Sequence, residues 1–460
     1  METIAAISTA VGNGGIGIIR MSGNNCFEIL KKIFITKNQK ELDVNNIKGY
    51  TMQYGYIIDN TNGEKIDEVL VSFFKNPKSY TKENMCEINS HGGMIVERRI
   101  LEECLKNGAI LAEPGEFTKR AFLNGRIDLS QAESIIDIIN SKSEKEAKAS
   151  INQLQGFLSK DISKIRHELL DVMADIEAQI DYPEYDIEDT TNEKVLGVFA
   201  NVKSELLKLK DSFNTGKILK EGIKTAIIGR PNAGKSSLLN TIINEERAIV
   251  SDIEGTTRDT IEEMITIRGI PLKIVDTAGI RKTKDKIEEI GVEKAIKVAK
   301  DADLILAIFD NTKDLSEEDL KIIGLLKDKK AIILLNKIDV IDKNLENVEE
   351  LKNTGKKIIK ISAKNRNGID ELYEEIERMF NIKELDLDSG NVITNIRHKN
   401  QIVKAMENLE NAINSIQLNL PIDIISINIR QILDDLGKIT GENVTEDIIN
   451  EIFSKFCLGK

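Results

Sequence analysis

The chain has 460 residues, of which 41% are hydrophobic, and its formal net charge is −12. This length favours two or three domains over one, and the acidic balance excludes a generic nucleic-acid-binding protein, so any RNA contact must use a local patch or a partner. The N-terminus has no basic leader and no apolar stretch of about 18 residues occurs, so no membrane span is predicted. Four cysteines without a C-x-x-C pair predict a reducing cytoplasm: Cys26, Cys86, Cys104 and Cys457.

The N-terminal third predicts a small α+β domain. Strand-like composition covers Ile4 to Ala10, Ile16 to Met21, Tyr50 to Ile58 and Glu68 to Phe74, and helical composition covers Phe27 to Phe34 and Met94 to Asn107. A G-x-G-x-x-G pattern from Gly12 to Gly17 matches the dinucleotide fingerprint in form. The residues after it are strand-like and no βαβ unit surrounds it, so a glycine-rich hairpin turn is the favoured interpretation.

One turn in this region concentrates chemically active side chains. Within residues 79–93, Glu87, His91 and the pair Gly92-Gly93 crowd a predicted strand-to-helix turn. Two interpretations stay open from the residues alone, a binding site or a capped helix start.

The middle of the chain predicts helices. Ser130-x-x-Glu133 and Ser141-x-x-Glu144 have the form of capping boxes. Apolar residues at spacings of three and four from Ile151 to Ile176 predict one long helix, which the proline and acidic residues from Asp181 onward terminate.

Helical periodicity returns at Val195 to Leu209, at Ile402 to Ile416 and at Ile424 to Leu436. These segments flank a stretch of different character, which predicts one helical domain interrupted by an inserted domain. The ends of the insertion, near Gly216 and Lys383, are then expected to lie close together.

The inserted stretch carries a phosphate-binding loop. The apolar strand Ala226 to Ile228 leads into Gly229 to Ser236, the full G-x-x-x-x-G-K-S pattern. Its glycines let backbone amides turn toward phosphate oxygens, Lys235 reaches the β and γ phosphates, and the Ser236 hydroxyl can bind Mg²⁺.

Further motifs follow in order, and together they select GTP over ATP. Thr256-Thr257 lies in a glycine-bearing loop, and Asp276 to Gly279, Asn336 to Asp339 and Ser362 to Lys364 each follow an apolar strand. The Asp339 carboxylate can accept two hydrogen bonds from guanine, a donor pair that adenine lacks. Residues 217–380 therefore predict a Ras-like GTPase domain. The predicted GTP-binding residues are Asn232, Ala233, Gly234, Lys235, Ser236, Ser237, Ser251, Asp252, Ile253, Glu254, Gly255, Thr256, Thr257, Asp276, Thr277, Ala278, Gly279, Asn336, Lys337, Asp339, Ser362, Ala363 and Lys364.

Over essentially its whole length the chain resembles the MnmE/TrmE family of tRNA-modifying GTPases. Besides the GTPase motifs, the resemblance rests on Gly14 to Arg20, Ser90 to Gly93, Pro114 to Asn124, Leu129 to Glu133 and Phe456 to Lys460. It implies a multidomain α/β and α fold. An α+β folate-binding-type N-terminal domain that dimerises (1–120) would precede a split all-α helical domain (121–216 and 381–460), into which the Ras-like α/β P-loop GTPase domain (217–380) is inserted.

The resemblance also implies a function. With an FAD-dependent partner of the MnmG/GidA type, in an expected heterotetramer, the protein would add a carboxymethylaminomethyl or aminomethyl group at C5 of the tRNA wobble uridine. The one-carbon unit would come from 5-formyl- or 5,10-methylene-tetrahydrofolate, with glycine or ammonium as a further input. The alternative is a regulatory GTPase of ribosome assembly whose flanks are binding modules; the N-terminal motifs and the C-terminal Cys-Leu-Gly-Lys favour tRNA modification.

By resemblance, a folate site would include Arg20, Glu87, Arg126 and Lys460. Arg126 stands where the family pattern has lysine, which keeps the charge but changes an ammonium into a planar guanidinium. Cys457 corresponds to a proposed reactive thiol, and a buried, inert helix-end cysteine is an equally weighted alternative.

The residue after Asp276 to Gly279 is Ile280, where Ras-type proteins place a water-orienting glutamine. The resemblance implies a potassium ion instead, bound by Asn232 and by backbone carbonyls within Ser251 to Thr256 (Ser251, Ile253 and Thr256). Thr257 would join Ser236 on Mg²⁺, Lys235 would act in catalysis, and Glu288 would position water, with its neighbour Glu289 as an alternative. Arg230 is another candidate cation.

Overall fold

The computed structural model describes residues 2–10, 12–38, 40–181, 192–245, 263–275, 299–340, 345, 348–380 and 392–460. The chain divides into two compact units. Unit 1 combines residues 1–136 with 433–460, and unit 2 is residues 137–432.

The described part of the chain contains both strands and helices, numbered in chain order. The strands are β1 (Ile4–Ile7), β2 (Gly17–Ser22), β3 (Phe34–Thr36), β4 (Thr51–Ile58), β5 (Lys65–Phe74), β6 (Met85–Ser90), β7 (Ile110–Leu111), β8 (Ile223–Ile228), β9 (Glu263–Ile267), β10 (Ile270–Ile274), β11 (Leu304–Asp310), β12 (Ala331–Asn336) and β13 (Lys357–Lys360). The helices are α1 (Cys26–Ile33), α2 (Met94–Lys106), α3 (Glu116–Leu123), α4 (Leu129–Asn140), α5 (Glu144–Leu154), α6 (Phe157–Asp181), α7 (Asn192–Glu221), α8 (Lys235–Glu245), α9 (Glu317–Leu325), α10 (Glu349–Lys352), α11 (Ile369–Met379), α12 (Ile396–Gln417), α13 (Ile422–Thr440) and α14 (Glu446–Ser454).

Unit 1 is built on a seven-stranded sheet in the order β3-β4-β5-β6-β2-β1-β7. Helices α1 and α2 pack on one face, where Phe27, Leu30 and Phe73 are buried in a common apolar core. Strands β1 and β2 pair antiparallel, so the glycine segment between them is the predicted hairpin connection and not a dinucleotide fingerprint. The opposite face of the sheet carries Arg20 and Glu87, which the register places side by side on β2 and β6.

The C-terminal part of unit 1 returns to its N-terminal part. Helix α14 packs on α3, and Phe453 and Phe456 are buried in one cluster against the partly buried Phe122. Ring centroids lie 5.3 Å apart for Phe453 and Phe456 and 6.4 Å apart for Phe122 and Phe453. This aromatic cluster fixes the chain end against residues more than 300 positions away.

The predicted capping boxes are displaced in the structure. Helix α4 begins at Leu129, so Ser130 lies inside it, and the cap is Asp128, whose Oδ1 accepts hydrogen bonds from Gln131 N (2.9 Å) and Ser130 Oγ (2.7 Å). Helix α5 is capped by Ser143, whose Oγ accepts from Glu146 N at 3.1 Å. Both predictions were wrong by two residues, because several serines and acidic residues near each start offer the same pattern. The first was also wrong in residue type, since Asp128 and Gln131 stand in place of the predicted serine and glutamate.

The predicted single long helix is two helices in unit 2. Gly156 has φ +82°, in the left-handed region that ends α5, and α6 starts at Phe157. Since the apolar spacing continues across this break, periodicity alone did not reveal it. Helix α6 ends at Asp181, at the predicted position.

The second sheet, in unit 2, has the order β13-β12-β11-β8-β10-β9. All neighbours are parallel except β9 and β10, which form an antiparallel hairpin. Both faces are buried by apolar residues, as expected for a parallel sheet with helices on each side. This is the Ras-like α/β arrangement that the motifs predicted.

The chain returns to α7 after this sheet. Ile393 N donates to Ser212 Oγ at 3.2 Å, and a Cβ built on Gly216 would lie 2.1 Å from Ile393 O. Gly216 is thus in close contact with the segment that leads into α12. Lys383 lies outside the described residues, and the predicted domain boundaries stay predictions.

Candidate functional site

The phosphate loop joins β8 to α8 through two residues in left-handed backbone conformations. Asn232 has φ +63° and Gly234 has φ +107°. A Cβ on Gly234 would lie 2.0 Å from Asn336 Nδ2, so only glycine fits this position. Helix α8 starts at Lys235, and the positive end of the helix dipole favours an anionic ligand at this loop.

Lys235 reaches back over the loop that precedes it. Its Nζ donates to Gly229 O at 2.7 Å and to Arg230 O at 2.9 Å. The neighbouring Ser236, the proposed Mg²⁺ ligand, lies in the first turn of α8. The loop therefore presents an ammonium group, a hydroxyl and helix N–H groups together, which suits a magnesium-bound phosphate chain.

Asn336, at the end of β12, joins two motifs. Its Nδ2 donates to Ala233 O at 2.8 Å, and its Oδ1 accepts from Ala363 N at 3.0 Å. The Thr241 hydroxyl of α8 also donates to Ala363 O, at 2.6 Å. Asn336 and Thr241 thus fix the phosphate loop and the Ser362-Ala363-Lys364 segment relative to each other, a role that the motif pattern assigns to neither.

The predicted base-recognition carboxylate lies beside this junction. Ser362 Oγ donates to Asp339 Oδ1 at 2.6 Å, and this hydrogen bond lowers the pKa of Asp339 below its ordinary value. The exposed Asp339 side chain is therefore an ionised acceptor. Lys337, two positions before Asp339, donates to Asp310 Oδ2 at 2.7 Å, which secures the backbone of this turn at φ +70°.

Arg230, the alternative cation, is engaged elsewhere. Its Nη1 lies 3.2 Å from Asp319 Oδ2 at the start of α9. The other predicted GTPase residues lie outside the described residues: Ser251, Asp252, Ile253, Glu254, Gly255, Thr256, Thr257, Asp276, Thr277, Ala278, Gly279, Ile280, Glu288 and Glu289.

A second cluster surrounds Arg20 on the open sheet face of unit 1. Its Nε and Nη2 both donate to Glu87 Oε1, at 2.9 and 2.7 Å, and its Nη1 donates to Gly459 O at 3.1 Å. Glu87 Oε2 accepts no hydrogen bond from the residues that the structure describes. One carboxylate oxygen thus anchors the arginine, and the other is available to accept hydrogen bonds from a ligand.

Aromatic rings complete this cluster. The Arg20 guanidinium lies 5.4 Å from the Tyr80 ring centroid and 5.6 Å from that of Phe117. Arg126 also lies over the Tyr80 ring, at 4.4 Å. The structure therefore brings together Arg20, Glu87 and Arg126, which are far apart in sequence, around an aromatic wall.

The C-terminal segment docks against the same cluster. Gly115 N donates to Cys457 O at 3.4 Å, and Phe117 N donates to the Lys460 main-chain oxygen at 3.1 Å. Gly459 has φ +81°, and a Cβ there would lie 2.3 Å from Ile7 O. The Cys457 side chain is exposed, so the alternative of a buried cysteine is wrong.

The turn from residue 79 to residue 93 separates into two parts. Glu87 belongs to the Arg20 cluster, whereas His91 is exposed and pairs with Asp67, with 2.8 Å between His91 Nδ1 and Asp67 Oδ1. That hydrogen bond raises the pKa of His91 above its ordinary value. Helix α2 starts after Gly93 without a side-chain cap, so the interpretation as a capped helix start is wrong.

Known proteins resemble the chain over its full length. A family described as the MnmE helical domain matches residues 129–457, and one described as the GTP-binding protein TrmE N-terminus matches residues 3–126. A protein of Acetivibrio thermocellus named tRNA modification GTPase MnmE is 50% identical over 100% of this chain and 99% of its own length. Proteins of the same name from Finegoldia magna and Alkaliphilus oremlandii are 47% and 46% identical, each over 100% of this chain and at least 99% of their own length.

The chain belongs to the MnmE family. It is accordingly a GTP hydrolase of the tRNA modification GTPase type. Within the parts of the chain that the structure describes, no helix is long and apolar enough to cross a membrane.

Sequence reasoning missed several residues of these two candidate sites. Tyr80 and Phe117 lie inside recognised motif segments, but only the fold reveals that both rings face Arg20. Gly459 acts through its main-chain carbonyl, for which residue type gives no signal, and the Thr241 hydroxyl lies on a helix outside every recognised motif. A glycine in a short motif is the one hint that could have identified Gly459, because it allows positive φ.

Proposed function

We propose that this MnmE-family GTPase binds a reduced folate at the Arg20 cluster. The observation that carries the proposal is the convergence of Arg20, Glu87 and Arg126 with the docked segment that ends in Lys460. A pteridine ring with a 2-amino-4-oxo edge offers N–H donors to a carboxylate such as Glu87 and a flat face to an aromatic wall. The cations suit the carboxylates of the folate tail.

On this basis the protein supplies a one-carbon unit from 5-formyl- or 5,10-methylene-tetrahydrofolate for the tRNA wobble uridine. The product is a carboxymethylaminomethyl or aminomethyl group at C5, made together with an FAD-dependent partner of the MnmG/GidA type in a heterotetramer in the cytoplasm. Cys457 is the proposed reactive thiol, and its exposure beside the docked Lys460 supports access to a substrate.

The test is calorimetric titration of 5-formyl-tetrahydrofolate into the parent and into Arg20→Ala and Glu87→Ala. Both variants are expected to weaken binding about tenfold or more, because each loses a charge-assisted contact, and to leave GTP turnover intact. Arg98→Ala removes an exposed arginine paired with Glu102 at 3.0 Å on α2 and is the matched control. If both site variants bind 5-formyl-tetrahydrofolate with the affinity of the parent, the folate proposal is wrong and the ribosome-assembly alternative stands.

We propose that a second copy of the chain covers the open face of the N-terminal sheet. Met52, Tyr54 and Leu70 are 59%, 37% and 44% exposed, and the strand register places them on the face that carries Glu87. Such a continuous exposed apolar surface is typical of an interface. Sedimentation of Met52→Glu/Leu70→Glu is expected to show monomers; a dimer like that of the parent would contradict this assignment.

For the GTPase we propose Mg²⁺ binding by Ser236 and Thr257, and K⁺ binding by Asn232 with the carbonyls of Ser251, Ile253 and Thr256. The exposed Asn232 side chain on a left-handed loop residue supports a ligand role. A cation there would neutralise charge that grows between the β and γ phosphates, while Glu288 positions water. GTP turnover is expected to be higher in potassium than in sodium, and Asn232→Ala is expected to lose this difference. Equal turnover of the parent in the two salts would refute the proposed potassium site.

A further inference from the structure

Asp319 combines features that a helix cap alone does not require. It is the third residue of α9, where its Oδ2 accepts from Ser316 N and Ser316 Oγ, both at 2.9 Å, in a capping box. The same oxygen lies 3.2 Å from Arg230 Nη1. Asp319 is 1% exposed, whereas acidic residues in the first turn of a helix are usually solvated.

The buried position of this carboxylate is costly without its cation. Its other oxygen, Oδ1, has no hydrogen-bond partner within the described part of the chain. The Arg230 side chain, 14% exposed, is what compensates the buried charge. The ion pair between Arg230 and Asp319 thus connects α9 to the second residue of the phosphate loop.

Arg230 occupies a position where its backbone matters for the nucleotide site. Its carbonyl oxygen accepts from Lys235 Nζ at 2.9 Å and from Ala233 N at 3.3 Å. The far end of the loop is fixed separately, because Ala233 O accepts from Asn336. The loop is therefore held at both ends, and Asn232 lies between the two attachments.

We propose that Asp319 is a positioning residue of the GTPase, which acts through Arg230 to fix the first half of the phosphate loop. It places the carbonyl that orients Lys235 and sets the backbone of Asn232. Loss of the pair lets this half of the loop move relative to the phosphates. Positioning errors of this kind reduce turnover more than nucleotide affinity, because the transition state has the stricter geometry.

The experiment compares Arg230→Met, Asp319→Asn and the double variant in the full-length protein. For each variant, kcat and KM for GTP, the affinity for GDP and the Tm are measured. Each single variant is expected to lower kcat about tenfold to a hundredfold, with a smaller change in KM. Arg230→Lys, which keeps a cation beside the carboxylate, is expected to recover part of kcat. The double variant removes both charges, so neither is left buried without its partner. Its Tm is therefore expected to exceed that of each single variant, while its kcat stays low.

Two controls separate positioning from stability. Ser316→Ala removes the hydroxyl partner of the α9 cap but keeps the Arg230 pair. Arg378→Met removes an exposed arginine that pairs with the buried Glu375 on α11. Both are expected to retain the parent kcat. The proposal is overturned if the double variant folds and turns over GTP like the parent, or if Ser316→Ala lowers kcat as much as Asp319→Asn.

A potassium titration adds a second readout. The potassium concentration that gives half-maximal turnover is expected to rise in Asp319→Asn, because the proposed ion ligand Asn232 lies two positions after Arg230 in the loop. This readout rests on the proposed potassium mechanism. A parent that turns over equally in potassium and sodium would remove that mechanism, while the kcat comparison in a single buffer still decides the role of Asp319.

Discussion

The candidate nucleotide site of unit 2 and the Arg20 cluster of unit 1 are assembled in different ways. The phosphate loop follows one buried parallel strand, Asn336 ends a second and Ser362 follows a third, so the strand ends bring the motifs to one edge of the sheet. The Arg20 cluster instead joins residues separated by 439 positions, through a guanidinium and a main-chain carbonyl. One site is set by local strand-to-loop geometry, and the other by the docking of the chain end.

Each site contains a glycine at which a neighbouring group occupies the space that a side chain would need. At Gly234 the neighbour is the Asn336 amide, which itself bridges two motifs, and at Gly459 it is Ile7 O. Substitution of each glycine therefore tests how independent the two sites are.

The largest effect is expected for Gly234→Ala. The new Cβ would strain a residue at φ +107° and displace Asn336 Nδ2, breaking its bond to Ala233 O. Strain and lost hydrogen bonds of about 3 kcal/mol correspond to about a 100-fold loss of GDP affinity, measurable with a fluorescent nucleotide. Gly324→Ala, where a Cβ would meet nothing within 4 Å, is the control. Retained affinity in Gly234→Ala would contradict the tight-packing argument.

A smaller and separate effect is expected for Gly459→Ala. The substitution strains a residue at φ +81° and pushes the chain end from Ile7, so Arg20 loses its contact with Gly459 O. Reduced-folate binding is expected to weaken about tenfold, while GTP turnover is unchanged. Gly49→Ala, whose nearest contact would be Lys75 Cβ at 3.4 Å, serves as the control. If GTP turnover fell together with folate binding, the two sites would not be independent.

The same contrast explains what could be predicted from the sequence. The strands that precede the GTPase motifs, and the motifs themselves, are contiguous, so Ala331 to Leu335 and the phosphate loop were predicted at nearly their observed positions. The break at Gly156 was not predicted, because apolar spacing persists across it. Nor were the short edge strands β3 and β7, which have too few residues to show a period.

The Arg20 cluster was predicted only by resemblance to a known family. Its members share no spacing rule, because an antiparallel strand pair joins Arg20 to Glu87 and an aromatic cluster docks the chain end. Tyr80, which lies against both Arg20 and Arg126, could not be singled out from its sequence neighbours. Long-range packing, not local propensity, determines this site.

Base selection in the nucleotide site gives a third, more limited test. Asp339→Asn keeps an oxygen for Ser362 but places an amide donor where guanine also has donors. GTP affinity is expected to fall about tenfold or more, and xanthine nucleotides, which offer an acceptor there, are expected to compete better. Competition between XDP and GDP measures the switch. An unchanged preference for GDP over XDP would show that Asp339 does not recognise the base. The proposed role of the phosphate loop would not be affected.

The smallest expected effect is a difference in how the two regions respond to pH. The hydrogen bond to Asp67 raises the pKa of His91 above its unfolded value of 6.5, so its contribution to stability is fully present below that value and is lost as pH rises through the higher folded pKa. The pKa of Asp339 is lowered from 3.8, so its contribution is present above that value and is lost only in acid. Of these two contributions, only that of His91 changes between about pH 5.5 and pH 8.5. The Tm of the parent is expected to exceed that of His91→Ala at the lower pH and to match it at the higher. His167→Ala, which removes an exposed histidine 3.9 Å from Asp171, is the control. If the Tm difference between the parent and His91→Ala is the same at both pH values, the charge of His91 does not contribute.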